Sequence, residues 1–364
     1  MASKNTKTSK FSWFLNNPVD FTLVIIILIL LCLGLIMLLS ASSPKSLAEY
    51  GTSYQFFVKQ LIFAVLGLIA MAMISKIDYR FYKKFYKISW IVSIILLALV
   101  LVIGKEVNNA KRWIEITSSL SFQPSELVKF LMIVFYAGML TKNREELGNF
   151  WTGLVKHICM LAPIIALLLL QPHFSASMVI IGICCIMMVM AGCKLWQFIA
   201  SGLSIGIPVI IALVIKSAYR LQRVVTFMNP WQDPTDTGWQ VIQSLYAIGS
   251  GGLFGTGLGE GKQKYLYLPE PHNDFIFSAL AEELGFIGCV IVIILFIILI
   301  WRGILIAMKA PDMFGSLMAI GITALIGIQV IINIAVVTSS MPATGMPLPF
   351  FSYGGTALFI LLCE

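Results

Sequence analysis

Three groups of residues in this chain stand where they could do chemistry. Asp274 lies one residue before an apolar run that begins at Phe275, where water, lipid headgroups and hydrocarbon would meet. A carboxylate is costly to bury there and points to function. It suits a general base whose pKa is set by partial desolvation against nearby cations. Asp also caps helices by accepting from their free N–H groups, so a structural reading stays open. His272, two residues earlier, fits either an interfacial structural role or a part in the chemistry. The second group is cationic: Lys262 and Lys264 after a glycine-rich stretch, Lys111 and Arg112 beside Trp113, and Arg220 and Arg223 near the head of a long loop. These read as anion ligands, or as headgroup contacts with Trp113 anchoring at the interface and Arg112 snorkelling. The third is Glu126 and Lys129 in FQPSELVKF, three apart on one face of a helix that Pro124 is suited to start. A charge pair inside a span is expensive and normally faces inward; its plainer role is a structural lock between helices.

Glycines surround the second group. Gly249, Gly251, Gly252, Gly255, Gly257, Gly259 and Gly261 fall within thirteen residues. They match neither G-x-G-x-x-G nor the Walker spacing, because Thr256 stands where the first Walker glycine belongs and Gln263 follows Lys262. This is either a flexible loop or backbone able to approach a phosphate closely, with Lys262 and Lys264 at hand. On a helix starting at Asp274, Ser278, Ala281 and Gly285 would share its face, with Glu282 about 80° away and Glu283 pointing elsewhere.

The elements that must position these groups are membrane spans. Hydrophobic residues make up 59% of the chain and charged ones 12%, with mean hydropathy +0.93, whereas soluble proteins carry about 25% charged residues. Ten apolar runs are long enough to cross about 30 Å of hydrocarbon: 20–41, 57–75, 88–104, 124–141, 153–170, 174–192, 197–215, 275–301, 313–338 and 348–364. The first is too long and too late for a cleaved signal peptide and reads as a retained helix. The last stops abruptly at Glu364, so the native C-terminus is expected to lie beyond it. With the N-terminus inside, fourteen Lys and Arg residues flank the inner ends and five lie in the short outer loops. That asymmetry places the basic tail, residues 1–18, in the cytoplasm and the long loop 216–274 outside. The loop's periodic piece, Val241 to Gly249, predicts a short amphipathic helix lying at the membrane surface. Net charge +8 is mostly this inside bias, so nucleic-acid binding need not be invoked. The seven cysteines lie in or beside apolar runs with no CxxC pair, which argues against a zinc site or disulfide framework.

Taken together, the motifs resemble one family. GLIMLLSAS (34–42), NNAKRW (108–113), FQPSELVK (122–129), NPWQDPTDTGWQVIQS (229–244), GSGGLFGTGLGEGKQKYLYLPEPHNDFIFSALAEELG (249–285) and PATGMPLPFFSYGG (342–355) occur in the order found in SEDS proteins (shape, elongation, division, sporulation) of the FtsW, RodA and SpoVE type. YLPEPHNDFIF is closer in wording to the FtsW/SpoVE branch. The resemblance implies an all-α integral membrane domain over 19–364, with ten transmembrane helices and a long extracellular loop between helices 7 and 8 that carries the active site. It implies a peptidoglycan glycosyltransferase of the bacterial cytoplasmic membrane that polymerises lipid II at the outer face for cell division or sporulation, releasing undecaprenyl diphosphate with inversion. The family's essential aspartate falls on Asp274, its Leu-Pro-Glu on Leu268 to Glu270, its loop lysine on Lys264, and its fourth-span pair on Glu126 and Lys129. One departure is QPHFS between the fifth and sixth runs, where His173 takes a position that is acidic in many relatives.

The implied reaction suits these residues. An acceptor hydroxyl must lose a proton, for which Asp274 is the base, and the leaving lipid diphosphate needs positive charge. Lys264, Glu270, His272, Lys111, Arg112, Arg220 and Arg223 are the expected substrate-binding set. A divalent cation, Mg2+ or Mn2+, is compatible with the sequence, although no dedicated cage is visible. The expected partners are lipid II, the nascent lipid-linked glycan, a class B penicillin-binding protein transpeptidase and divisome or sporulation proteins. From another class of function, a lipid II flippase would want charges through the membrane interior and two related halves. Glu126, Lys129, Glu282 and Glu283 offer only a thin polar path, and no repeat is visible.

Overall fold

The computed structural model describes residues 19–364 apart from 108–109, 118–119, 207, 209–210, 212–214, 216–217, 236–237 and 266. The basic tail, residues 1–18, lies outside the described residues. In chain order the helices are α1 (Phe21–Tyr50), α2 (Gln55–Ile74), α3 (Arg80–Lys84), α4 (Tyr86–Ile103), α5 (Pro124–Lys142), α6 (Lys156–Leu170), α7 (Phe174–Ala191), α8 (Leu195–Ser201), α9 (Ala218–Met228), α10 (Trp239–Gly251), α11 (Ile276–Lys309), α12 (Met313–Val337) and α13 (Gly355–Cys363). Among the described residues eight helices are long and apolar enough to cross a membrane: α1, α2, α4, α5, α6 with its lead-in from Phe150, α7, α11 and α12. The expected seventh run, 197–215, begins as α8 and a π-helical turn (Gly202–Gly206) and is only partly described. The expected tenth run forms α13, nine residues long, because Pro347 and Pro349 keep the preceding stretch out of the helix.

Local chemistry sets many of the boundaries. Asp20 caps α1 by accepting from the Leu23 N–H at 3.1 Å and also pairs with Arg302, tying the first helix to the lower part of α11. Pro124 occupies the first turn of α5, and α7 ends at Gly192 with φ 115°. Asp312 caps α12 through the Gly315 N–H at 2.7 Å and accepts from the Tyr79 hydroxyl at 3.0 Å. α5 is the axis of the bundle: 72% of its apolar window is buried, against 22% for α2. One hydrophobic core joins α4 to α7 with α12 around Met132, Tyr136, Ile180 and Phe314. A second joins α1, α2, α11 and α13 around Leu30, Phe275, Phe296 and Phe351. The seam between these cores opens toward one face of the bundle.

Two connections on that face differ from expectation. The 104–123 connection, expected as an interfacial loop in an all-α fold, is a three-stranded antiparallel sheet, β1 (Lys105–Val107), β2 (Ala110–Thr117) and β3 (Leu120–Phe122), with Lys105 opposite Trp113 and Ile114 opposite Phe122. The alternation in KRWIEIT carried that signal. The amphipathic helix predicted at 241–249 exists as α10, but it packs on α11 instead of lying on a lipid surface. Val241, Ile242, Ser244 and Ala247 are buried, and the Ser244 hydroxyl bonds Ser278 at 2.7 Å and the Val337 carbonyl at 2.8 Å.

Candidate active site

Asp274 opens into a cavity of about 540 Å³ at the seam. α5 contributes Glu126 and Lys129, and the turn before α7 contributes His173. The sheet side supplies Arg112, Trp113 and Gln123, and α2 supplies Lys59. Phe63, Leu358 and Leu361 give the cavity an apolar flank toward the membrane-facing helices. Cations and carboxylates thus share one chamber that has an oily side.

Asp274 is held by its main chain. Asn333, near the C-terminal end of apolar α12 and 1% exposed, donates Nδ2–H bonds to the Asp274 carbonyl at 2.8 Å and the Met346 carbonyl at 2.7 Å. A Cβ added to Gly345 would stand 3.5 Å from Asp274 Oδ2, and Gly345 has φ +68°, so this close, left-handed turn favours glycine. On the far side of the cavity, buried Gln60 of α2 donates to the Ser352 carbonyl at 3.2 Å and accepts from the Gly354 N–H at 3.1 Å. Asn333, Gln60 and Lys59 were not among the expected site residues. Polar side chains inside apolar runs were the available signal for the first two. Burial pushes the Asp274 carboxyl up to about 6, with Glu270 adding to the rise and Arg223 opposing it. The carboxylate is therefore more basic than an ordinary Asp, yet mostly ionised near neutral pH.

The other expected residues divide into those at the cavity and those away from it. Glu126 and Lys129 do form a pair, with Nζ 2.6 Å from Oε2, but both lie on α5 and line the cavity, so they are not a lock between helices. Arg112 reaches the cavity while donating to the Pro172 carbonyl. Lys111 sits on β2 opposite Glu106. His173 is buried, and burial together with Arg112 and Lys129 pushes its pKa down to about 3, so this wall is neutral. Arg223 donates to the Ala343 carbonyl on the segment that leads to Gly345, which lies against Asp274. Arg220 lies on α9, and its side chain is outside the described residues.

His272 and Glu270 serve the loop's shape. The buried His272 ring packs 4.8 Å from Phe56, and its carbonyl accepts from the Tyr353 N–H at 2.8 Å. Burial holds its pKa at about 4 against the pull of Glu270, so the ring is neutral at physiological pH. Glu270 is exposed, pairs with Lys45 of α1 and accepts from Asn273 Nδ2 at 2.7 Å.

Lys264 departs furthest from expectation. It is 5% exposed, and its ammonium meets Ser40 Oγ at 2.9 Å, the Gly259 carbonyl at 2.6 Å and Glu283 Oε1 at 2.8 Å. An ammonium has three N–H donors, and all three are used inside the protein. The glycine-rich loop likewise approaches carboxylates where a phosphate was considered. Gly259 N–H donates to Glu283, and Lys262 and Gln263 N–H donate to Glu282. α11, at about 51 Å for its 34 residues, is longer than a membrane core, and Gly285 (φ 66°, ψ −169°) kinks it just after both glutamates. Any side chain at Gly285 would strike the Gly255 backbone. Glu282 and Glu283 are therefore sealed by loop hydrogen bonds above the kink and do not form a polar path through the bundle.

Among the described residues, no three His, Cys, Asp or Glu side chains converge on a metal position. That donor set does not fit an all-protein cage.

The bundle and its one-sided cavity define a polytopic helical membrane protein whose buried carboxylate is served by cations and an apolar flank. The FtsW/RodA/SpoVE family profile, described as cell cycle protein, matches residues 21–364, and the chain belongs to that family. It is 44% identical to stage V sporulation protein E of Bacillus subtilis over 345 residues, covering 94% of each. It is 41% identical to the probable peptidoglycan glycosyltransferase FtsW of Coxiella burnetii over 359 residues, 97% of this chain and 95% of that one. Among solved structures it resembles a chain from a peptidoglycan synthase complex that coordinates polymerization and crosslinking (TM-score 0.77, 28% identity, 94% of each chain). It also resembles the rod shape determining protein RodA of Thermus thermophilus (TM-score 0.68, 28% identity, 94% of this chain and 93% of that one).

Proposed function

We propose that this chain is a peptidoglycan glycosyltransferase that joins lipid-linked disaccharide units at the outer face of the bacterial cytoplasmic membrane, with Asp274 as general base. The observation that carries this reading is a raised-pKa carboxylate facing a chamber that holds Lys59, Arg112 and Lys129 beside an apolar flank. A lipid diphosphate needs both surfaces at once. The orientation rests on the lysine and arginine bias, which puts the cavity-bearing connections outside.

In the reaction, the acceptor sugar's hydroxyl oxygen attacks the donor's anomeric carbon while Asp274 takes the hydroxyl proton. The bond from that carbon to the diphosphate oxygen breaks, and the electron pair leaves with the lipid diphosphate. Lys59, Arg112 and Lys129 stabilise the charge that develops. A diphosphate is a good leaving group, so no second protein acid is required on it. A divalent ion, where it takes part, would be held by diphosphate oxygens and at most one cavity carboxylate, adding charge stabilisation.

Polymerisation of a labelled lipid-linked disaccharide by the purified protein, followed by gel separation of the strands, tests the reading. Wild-type protein that binds the substrate yet never joins two sugars would overturn it. The same assay run against pH gives a second expectation. The base must be ionised to act, so the rate should fall as pH drops through about 6, well above the usual carboxylate range. An acid limb near 4 would show that burial does not tune Asp274.

Asn333 is a positioning residue in this scheme. Asn333→Ala leaves the Asp274 and Met346 carbonyls without their buried donor, a loss of about 1–3 kcal/mol. The expected result is lower kcat with KM little changed, because the base is displaced while the binding surfaces remain. An unchanged kcat in a folded variant would remove Asn333 from the site.

The solved synthase complex also points to a partner. We expect a crosslinking transpeptidase of the class B penicillin-binding type to co-purify with this protein and raise its polymerisation rate. Full activity alone, with no binding in detergent or nanodiscs, would count against the pairing.

A further inference from the structure

Behind Asp274 lies a second cavity of about 270 Å³, half the volume of the first. Its walls are α9 and α10, with Pro269 and the segment 341–343 closing it. That segment is the partition between the two cavities. Met341 and Ala343 face the small one, and Gly345, two residues on, lies against Asp274 in the large one. The partition is pinned from both sides: Arg223 donates to the Ala343 carbonyl and Ser175 to the Thr344 carbonyl. Asp274 thus stands at the junction of two differently lined spaces.

The linings call for different ligands. The large cavity offers Lys59, Arg112 and Lys129 with an apolar flank, which suits a lipid diphosphate. The small one offers flat apolar faces, the Trp239 indole and the Phe227 ring, together with the amides of Gln222 and Gln240 and the Thr226 hydroxyl. Its cation, Arg223, is already engaged with Ala343. The indole is fixed by an N–H bond to the Tyr267 carbonyl at 2.7 Å, so its face is preset. Among the described residues, the Gln222 and Gln240 side chains bond no other protein group, and both line this cavity. Aromatic faces with a few directed neutral polar groups match the C–H face and the hydroxyl and acetamido groups of an N-acetylhexosamine. They provide little to neutralise a diphosphate.

We infer that the small cavity is a saccharide subsite that grips sugar units of the growing strand while its reactive end lies at Asp274. The inference rests on the polymerase reading above and assigns α9 and α10 a part in it. A polymerase that held its product only by the lipid diphosphate would release it after few additions; a sugar grip next to the base keeps the strand engaged.

The test uses the purified full-length chain and two probes, a lipid-free tetrasaccharide of alternating N-acetylglucosamine and N-acetylmuramic acid, and inorganic pyrophosphate. Tetrasaccharide binding is read directly by saturation-transfer NMR, and both probes are tried as inhibitors of polymerisation. Gln240→Ala and Phe227→Ala should weaken tetrasaccharide binding about tenfold, the scale of one lost directed contact. They should shorten the strands made while leaving pyrophosphate inhibition unchanged. Equal tetrasaccharide binding and equal strand length in wild type and variants would overturn the subsite. Weakened pyrophosphate inhibition with intact tetrasaccharide binding would overturn it too, marking the cavity as a diphosphate site. If Phe227→Ala fails to fold, Gln240→Ala carries the test, since its half-buried amide bonds nothing among the described residues. If wild-type protein makes no polymer, the polymerase reading fails on its own, and the NMR comparison still decides whether sugar binds here.

Discussion

Asp274→Asn is expected to stop polymerisation and leave the protein folded. Asn keeps the shape of the side chain, and the two bonds from Asn333 go to main-chain carbonyls that the substitution does not touch. The amide cannot accept the acceptor sugar's proton, so the rate should fall at least 10²–10⁴-fold, roughly the usual worth of a general base. Stability should move the other way. The folded protein raises the Asp274 pKa to about 6, so it favours the neutral acid. Ionisation therefore costs folding free energy that accumulates as pH rises from the unfolded pKa toward 6 and is fully present at pH 7. Removing the charge should leave the melting temperature at pH 7 the same or higher, with little change at pH 4. Substrate binding should persist, because Lys59, Arg112 and Lys129 are intact. A folded Asp274→Asn protein that polymerises near the wild-type rate would end the general-base assignment.

The second large effect is expected at Lys264 and Glu283. Each is almost completely buried, and each is the other's principal partner. Lys264→Met strands Glu283 with only Ser40 and the Gly259 N–H, and Glu283→Gln strands the ammonium. Breaking a buried pair from one side costs about 3–5 kcal/mol. Both single variants should lose folded yield and melting temperature, and activity should fall with them. The double variant Lys264→Met/Glu283→Gln should recover much of the lost stability, because no uncompensated charge remains. A lysine that gripped diphosphate would behave differently. Lys264→Met would then fold normally, bind substrate weakly and gain nothing from the second substitution. The double-mutant cycle, read as melting temperature and as KM, separates the two.

Particular residues show how far the sequence could be read. The apolar runs announced the spans because a helix crossing hydrocarbon must satisfy its own backbone and clothe it in apolar side chains, both local properties. Asp274 was legible for a related reason: an ionisable group at the mouth of an apolar helix has no cheap structural excuse. The sheet at 105–122 was visible in its alternation, but it was masked by the expectation of a loop. The ends of the bundle were less legible. Pro347 and Pro349 turn much of an apparent tenth run into cavity wall, and hydropathy does not distinguish apolar wall from apolar span.

By itself the sequence determined the membrane class, the order of the family motifs and the candidacy of Asp274. Each follows from composition or spacing along the chain. Only the tertiary structure decided which charges face substrate and which are consumed by the fold. Lys264, Glu282 and Glu283 look as reactive as Asp274 in one dimension. In three, the glycine loop folds back over the Gly285 kink and spends its N–H groups on the two glutamates, while the lysine spends all three of its donors on Ser40, Gly259 and Glu283. The Asp274 main-chain carbonyl is tied by Asn333, and its carboxyl faces the cavity. A buried polar group must find a partner. Where the partners come from 19 to 243 positions away, packing settles which carboxylate remains to accept a proton.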